Sequence, residues 1–128
     1  MSDGECDEGS NWEAALFSAH HKLNNLVAII DYNKLQGIDR VSESLALEPF
    51  KEKWESFNWN VTEVDGHNVN ELLSVLSNLK TEANRPNLIL ANTIKGKGVS
   101  FMEDKILWHY RWPRDNEIQS AIDELINK

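Results

Sequence analysis

The chain has 128 residues, with 13 Lys and Arg against 21 Asp and Glu and a formal net charge of −8. Its 41% hydrophobic and 27% charged content excludes a disordered or fibrous chain, and the length holds one domain of roughly 100–150 residues. The acidic balance and scattered basic residues exclude a duplex-DNA binder, and the single cysteine, Cys6, excludes an internal disulfide and a multi-cysteine zinc site.

The first predicted element is a helix over about 10–22. Ser10 and Asn11 supply a cap, and Trp12, Ala15, Leu16 and Ala19 recur at helical spacing. Leu26 to Tyr32 follows as a mostly apolar, β-branched run without alternation, the pattern of a strand covered on both faces. Its apolar part, Leu26 to Ile30, is the longest such run and falls far short of the ~18 residues a membrane span requires. No basic segment leads an apolar run at the N-terminus, so a cytoplasmic location is expected. Residues 33–47 have no sustained period and contain Gly37, which reads as a long surface loop. Pro49 suits the first position of a helix whose stripe is Phe50, Trp54 and Phe57. Trp59, Val61 and Val64 make a short strand closed by Asp65-Gly66. Asn68 can cap a helix in which Leu72, Leu73, Val75, Leu76 and Leu79 form a broad buried face. Beyond Arg85-Pro86-Asn87, Leu88 to Ile94 is a third strand and 95–112 is irregular. A last helix starts at Asp115 or Asn116, with Ile118, Ala121, Ile122 and Leu125 on one face.

Helices alternating with strands imply an α/β fold, a parallel sheet flanked by helices and joined by right-handed crossovers. Ligands of such sheets bind outside the carboxyl ends of the strands. The candidate loops therefore follow Tyr32, Val64 and Ile94, joined by Asp3 to Gly9 ahead of the first helix. On these loops Asp3-Gly4 and Asp31-Tyr32-Asn33 offer carboxylate, amide and backbone oxygens, hard ligands suited to Mg²⁺ or Ca²⁺. Magnesium leaves positions for phosphate oxygens, and a glycine beside the Asp lets backbone amides approach them.

These residues, Asp3-Gly4-Glu5 and then Asn33 within Asp31-Tyr32-Asn33-Lys34, resemble the thiamine diphosphate motif of the transketolase family. That motif begins Gly-Asp-Gly and ends with an Asn after a strand. Glu8-Gly9-Ser10-Asn11-Trp12-Glu13-Ala14, Lys22-Leu23-Asn24-Asn25-Leu26, Asp65-Gly66-His67 and Thr93-Ile94-Lys95-Gly96-Lys97-Gly98 match in the family's order. The resemblance covers essentially all of 1–128, as part of a thiamine diphosphate-binding domain. It looks most like the N-terminal, diphosphate-binding section of a transketolase encoded as two polypeptides. It also implies that Met1 is an internal methionine of a longer section.

The resemblance implies transfer of a two-carbon ketol unit from a ketose phosphate to an aldose, with thiamine diphosphate and Mg²⁺ as cofactors. Asp3 and Asn33 would ligate the metal through their side chains, and Leu35 through its backbone carbonyl. Gly4 would lie against the cofactor diphosphate, and His109 is the implied catalytic residue, near diphosphate and substrate. Glu8 and Glu13 match acids near a subunit interface, and Lys95 and Lys97 would bring positive charge. The implied partners are a C-terminal, pyrimidine-binding section that supplies an activating glutamate, sugar phosphate substrates, and further copies in an oligomer. No nucleic acid or membrane is among them, and without that section the chain is expected to be inactive. Two positions depart from the family: Ser2, a small residue that the turn tolerates, replaces the first glycine, and Tyr110 replaces the glycine after His109, the latter pointing to a different acceptor sugar. Arg111 reads either as a substrate-phosphate contact or as a solvated loop arginine. The alternatives are another thiamine diphosphate enzyme, such as a deoxyxylulose-phosphate synthase relative, or a non-catalytic remnant or scaffolding subunit.

The remaining chemistry-bearing residues read structurally. Adjacent helix positions diverge by ~100°, so His20 and His21 are surface residues rather than a chelating pair. His67 reads as a turn or helix-cap residue, and Cys6, among Glu5, Asp7 and Glu8, as unreactive. Trp12 and Trp54 belong to packing stripes, whereas Trp108 and Trp112 could line a pocket or partner surface. Gly96-Lys97-Gly98 lacks the spacing of the dinucleotide fingerprint.

Overall fold

The computed structural model describes residues 1–81 and 84–127; the domain reading over 1–128 also takes in Glu82, Ala83 and Lys128, which lie outside the described residues. Three strands, β1 (Val27–Tyr32), β2 (Asn60–Asp65) and β3 (Asn87–Asn92), form a parallel sheet in the order β1-β3-β2. The helices are α1 (Gly9–His20), α2 (Val41–Ser44), α3 (Phe50–Ser56), α4 (Val69–Ser77) and α5 (Asp115–Ile126). Among the described residues no helix is long and apolar enough to cross a membrane. Register aligns Tyr32, Asn92 and Asp65, so the three strands end in one row and their following turns are neighbours. On the outer edge of β1, Ser2 pairs with Asp31 in parallel, with Asp31 N donating to Met1 O at 2.9 Å and Asp3 N to Asp31 O at 3.3 Å. Residues 1–3 thus deliver Asp3 to the same end of the sheet.

Only β3 is buried along both faces. On one side Ile30, Tyr32, Leu88 and Leu90 pack with Ala15, Phe50, Trp54 and Trp59 beneath α1 and α3. On the other, Val64, Ile89 and Ala91 meet Leu72 and Val75 of α4 and Leu79 beyond it. β1 departs from its expected two-sided cover: Ile29 is 44% exposed and Asp31 is exposed, because α4 packs over β2 and β3. The α4 face is also narrower than its leucines suggest, with Leu73 and Leu76 exposed; covering a sheet takes one stripe of a helix, and these lie at its flanks. Ile118, Ile122 and Leu125 of α5 are likewise exposed. Trp59 precedes β2, and its indole N–H donates to Ala15 O at 3.0 Å, tying the strand to α1. β3 stops at Asn92, two residues before Ile94.

The segment 33–47 is anchored rather than free. Leu35, Val41 and Leu47 are buried, and Val41 N donates to Lys34 O at 3.1 Å. Its end is fixed by Glu48, whose carboxylate accepts the Tyr32 hydroxyl at 2.6 Å and the Phe50 amide at 2.8 Å. That carboxylate supplies the start of α3 with an acceptor that Pro49, at the cap position, cannot. The Tyr32 bond first, then the Phe50 bond, holds the Glu48 carboxyl below the usual carboxylate range. A depressed folded value means that the stabilisation is present above the ordinary carboxylate pKa and is lost as pH falls through the depressed one. Replacing Glu48 with Gln is therefore expected to cost about 1 kcal/mol at pH 7, a hydrogen-bond figure reduced for exposure. Urea denaturation should show the gap from the parent closing at acidic pH.

Candidate functional site

Asp3 sits where the edge segment meets the short 3-10 turn Gly4–Asp7, and it is 1% exposed. Its Oδ1 accepts the Gly4 amide at 2.8 Å and its Oδ2 the Lys34 amide at 2.7 Å. Lys34 offers that amide from a left-handed conformation, φ 64°, uncommon for a residue with a Cβ. The turn is set by its neighbour: Asn33 Oδ1 accepts the Leu35 amide at 3.0 Å, a side-chain mimic of a backbone turn. The carbonyl of Leu35 faces His109 Nε2 at 3.4 Å. Asp3, Asn33, Leu35 and His109, drawn from three separate segments, therefore meet at the carboxyl end of the sheet.

Gly4 and Gln36 lie against each other, and a Cβ added at Gly4 would sit 3.6 Å from Gln36 Cγ, ordinary contact. The Gln36 side-chain nitrogen is buried and has no hydrogen-bond partner. Sequence reasoning passed over Gln36, because only tertiary packing turns this loop amide into an orphaned donor. Tyr110 reaches back over the same turn, its hydroxyl 3.2 Å from where a Gly37 Cβ would stand. Farther out, an exposed Arg40–Asp104 ion pair at 2.6 Å joins this turn to the segment following β3.

The electrostatics favour a cation. Burial raises the Asp3 carboxyl above its ordinary pKa; the Lys34 and Gly4 amides oppose the shift, and Asp31 and Asp7 add to it. A desolvated carboxylate beside other acids gains from a bound positive charge. Among the described residues no three His, Cys, Asp or Glu side chains converge. The donor set is instead one carboxylate, one amide oxygen and one backbone carbonyl. Each of these oxygens retains a lone pair beyond the hydrogen bond it accepts. That set is hard, oxygen-only and incomplete by itself, as suits Mg²⁺ completed by phosphate and water. Burial, with Asp3 next, pushes the Cys6 thiol up to about 12, leaving it a packing residue.

Other sequence candidates fall elsewhere. Glu8 and Glu13 are exposed around the start of α1. Lys97 pairs with Glu103 at 3.7 Å. Arg111 pairs with Glu117 and lies over the Trp108 ring, 4.3 Å from its centroid. Trp12 and Trp54 are packing residues, whereas Trp112 is 90% exposed. Two clefts of about 430 and 320 Å³ lie beside the site; Cys6, Trp12, Leu47 and Phe57 line the first, and Tyr32, Lys34, Val41 and Glu48 the second. Neither is lined by Asp3, Asn33 or Leu35.

Residues 1–125 match the family described as "Transketolase, thiamine diphosphate binding domain". The chain is 42% identical over 125 residues to a 6-deoxy-6-sulfo-D-fructose transketolase subunit of Clostridium sp. (strain MSTE9), covering 98% of this chain and 46% of that protein. It is 41% identical over 123 residues to an apulose-4-phosphate transketolase subunit of Actinobacillus succinogenes, covering 96% and 44%. To the transketolase of Homo sapiens it is 37% identical over 128 residues, all of this chain and 20% of that one. The crystal structure of Campylobacter jejuni transketolase shares the fold, with a TM-score of 0.75 and 22% identity over 99% of this chain and 24% of that one. The chain spans less than half the length of the curated relatives it matches.

Proposed function

We propose, because this chain belongs to the transketolase thiamine diphosphate-binding domain family, that the Asp3–Asn33 site holds thiamine diphosphate with Mg²⁺ and serves ketol transfer. The observation that carries this reading is the Asp3 carboxylate accepting the amide of the turn that Asn33 builds, 2.7 Å from Oδ2 to Lys34 N. Asp3, Asn33 and the Leu35 carbonyl would hold the metal. Gly4, without a side chain, leaves the approach to the diphosphate open, and the orphaned Gln36 amide supplies a donor for one of its oxygens. Thiamine diphosphate, when bound, supplies the nucleophilic carbon that adds to a ketose carbonyl. His109, whose Nε2 lies 3.4 Å from the Leu35 carbonyl, would donate a hydrogen bond to an anionic oxygen on cofactor or substrate.

Two relatives that match over nearly all of this chain are named as transketolase subunits, which supports a separately encoded, pyrimidine-binding partner section. Their named substrates, 6-deoxy-6-sulfo-D-fructose and apulose-4-phosphate, both carry an anionic group. The donor here is accordingly a ketose phosphate or a similarly anionic ketose, and the acceptor an aldose. Those names also favour ketol transfer over the deoxyxylulose-phosphate synthase reaction and over a scaffolding role.

The test is calorimetric titration of thiamine diphosphate into the chain purified with its partner section, with Mg²⁺ and then with EDTA. One cofactor per chain, lost on chelation, and transfer of a two-carbon unit from a ketose phosphate to an aldose are expected. Absence of both binding and transfer would overturn the reading.

A further inference from the structure

A histidine outside this cluster locks two neighbouring strand ends together. At the end of β2, Gly66 N donates to Asn92 O at 2.8 Å, at the end of β3. The approach is close: a Cβ on Gly66 would collide with the Thr93 side chain and lie 3.2 Å from both Ala91 Cβ and Asn92 O. The next residue, His67, has its own amide held by Asp65 Oδ1 at 2.9 Å, and its ring Nε2 accepts the Ile94 amide at 2.7 Å. From the β1 side, Tyr32 O accepts the Thr93 amide at 3.2 Å and Asp31 accepts the Thr93 hydroxyl. The path after β3 is thus fixed from both neighbours just before the turn in which Lys97 N donates to Ile94 O at 3.1 Å. That segment continues to His109, beside the Leu35 carbonyl.

We propose that His67 is a positioning residue for the cofactor site: its neutral ring, with a lone pair on Nε2, holds Ile94 and so sets the run 94–98 against the Asn33–Leu35 turn. The inference rests on the thiamine diphosphate reading of that site.

His67→Gln and His67→Ala separate the roles, because a glutamine oxygen can still accept a hydrogen bond. In the chain with its partner section, hydrogen exchange at the Ile94 amide and titration of thiamine diphosphate with Mg²⁺ are measured at pH 8. The parent and His67→Gln should protect Ile94, and His67→Ala should lose that protection. His67→Ala should bind the cofactor about tenfold more weakly at pH 8, the scale of losing an outer-shell partner, and His67→Gln should restore it. Unchanged Ile94 exchange in His67→Ala, or equal cofactor affinity in His67→Ala and the parent, would overturn the positioning role while leaving the cofactor reading intact. A parent that binds no cofactor at pH 8 would overturn both, and Ile94 exchange would still report the latch by itself.

Discussion

Asp3→Asn is expected to weaken Mg²⁺-dependent thiamine diphosphate binding by about 100-fold or more while leaving the domain folded, and Asn33→Ala to do the same. The two substitutions act on one ion from different segments. Asparagine at position 3 keeps the size of the side chain and one oxygen, but it removes the negative charge and turns one oxygen into an N–H donor facing an amide. The lost bond to Gly4 or Lys34 costs about 1–3 kcal/mol. Removing an ionised group from a 1% exposed position offsets part of that. Stability without cofactor should therefore move little, whereas affinity collapses, and this split distinguishes ligation from structure. Asn33→Ala removes the amide oxygen and the turn it builds onto Leu35. Calorimetry of the cofactor with Mg²⁺, beside urea denaturation in EDTA, reads both quantities. Undiminished affinity in either variant contradicts its assignment.

The parts of this arrangement differ in how legible they were. The parallel sheet follows from alternating helical and strand patterns, a short-range property of the chain. Asp3 and Asn33 stand out as oxygen-bearing loop residues and through the motif they resemble; the pairing of Ser2 with Asp31 that carries Asp3 to the end of β1 is not legible, because residues 1–3 show no strand pattern. Exposure of Ile29 could not be read, because an unbroken apolar run is the same whether one face or both are covered; where α4 lands decides. Leu35, Val41 and Leu47 are buried without any period, since a loop is anchored wherever it happens to recross the core. Gln36 and His67 gain their roles from partners, or from the want of one, that only folding brings to them. His67 and Ile94 are 27 positions apart and His109 and Leu35 are 74 apart, distances over which no local pattern speaks.

Trp54→Ala is expected to destabilise the domain by about 3–5 kcal/mol, whereas Trp54→Phe should cost no more than about 1 kcal/mol. Trp54 is 1% exposed at the centre of the larger core, with ring centroids 5.2 Å from Trp12 and 5.1 Å from Trp59. Truncation there removes the whole ring from contact with its neighbours and opens a cavity. The three indoles differ in one respect. Trp12 donates to Cys6 O at 2.8 Å and Trp59 to Ala15 O at 3.0 Å, but Trp54 Nε1 is buried without a partner. An unpartnered buried donor is itself worth about 1–3 kcal/mol of instability, which phenylalanine removes as it gives up ring area. Trp59→Phe should consequently be the worse of the two phenylalanine variants, since it breaks a bond between the sheet and α1. The same core lies under Ile30 and Tyr32, on the strand that leads into Asn33, so Trp54→Ala should also loosen cofactor binding. Urea denaturation of the three variants gives the ranking; a loss in Trp54→Phe as large as that in Trp59→Phe would mean that the missing partner of the Trp54 N–H has no energetic weight.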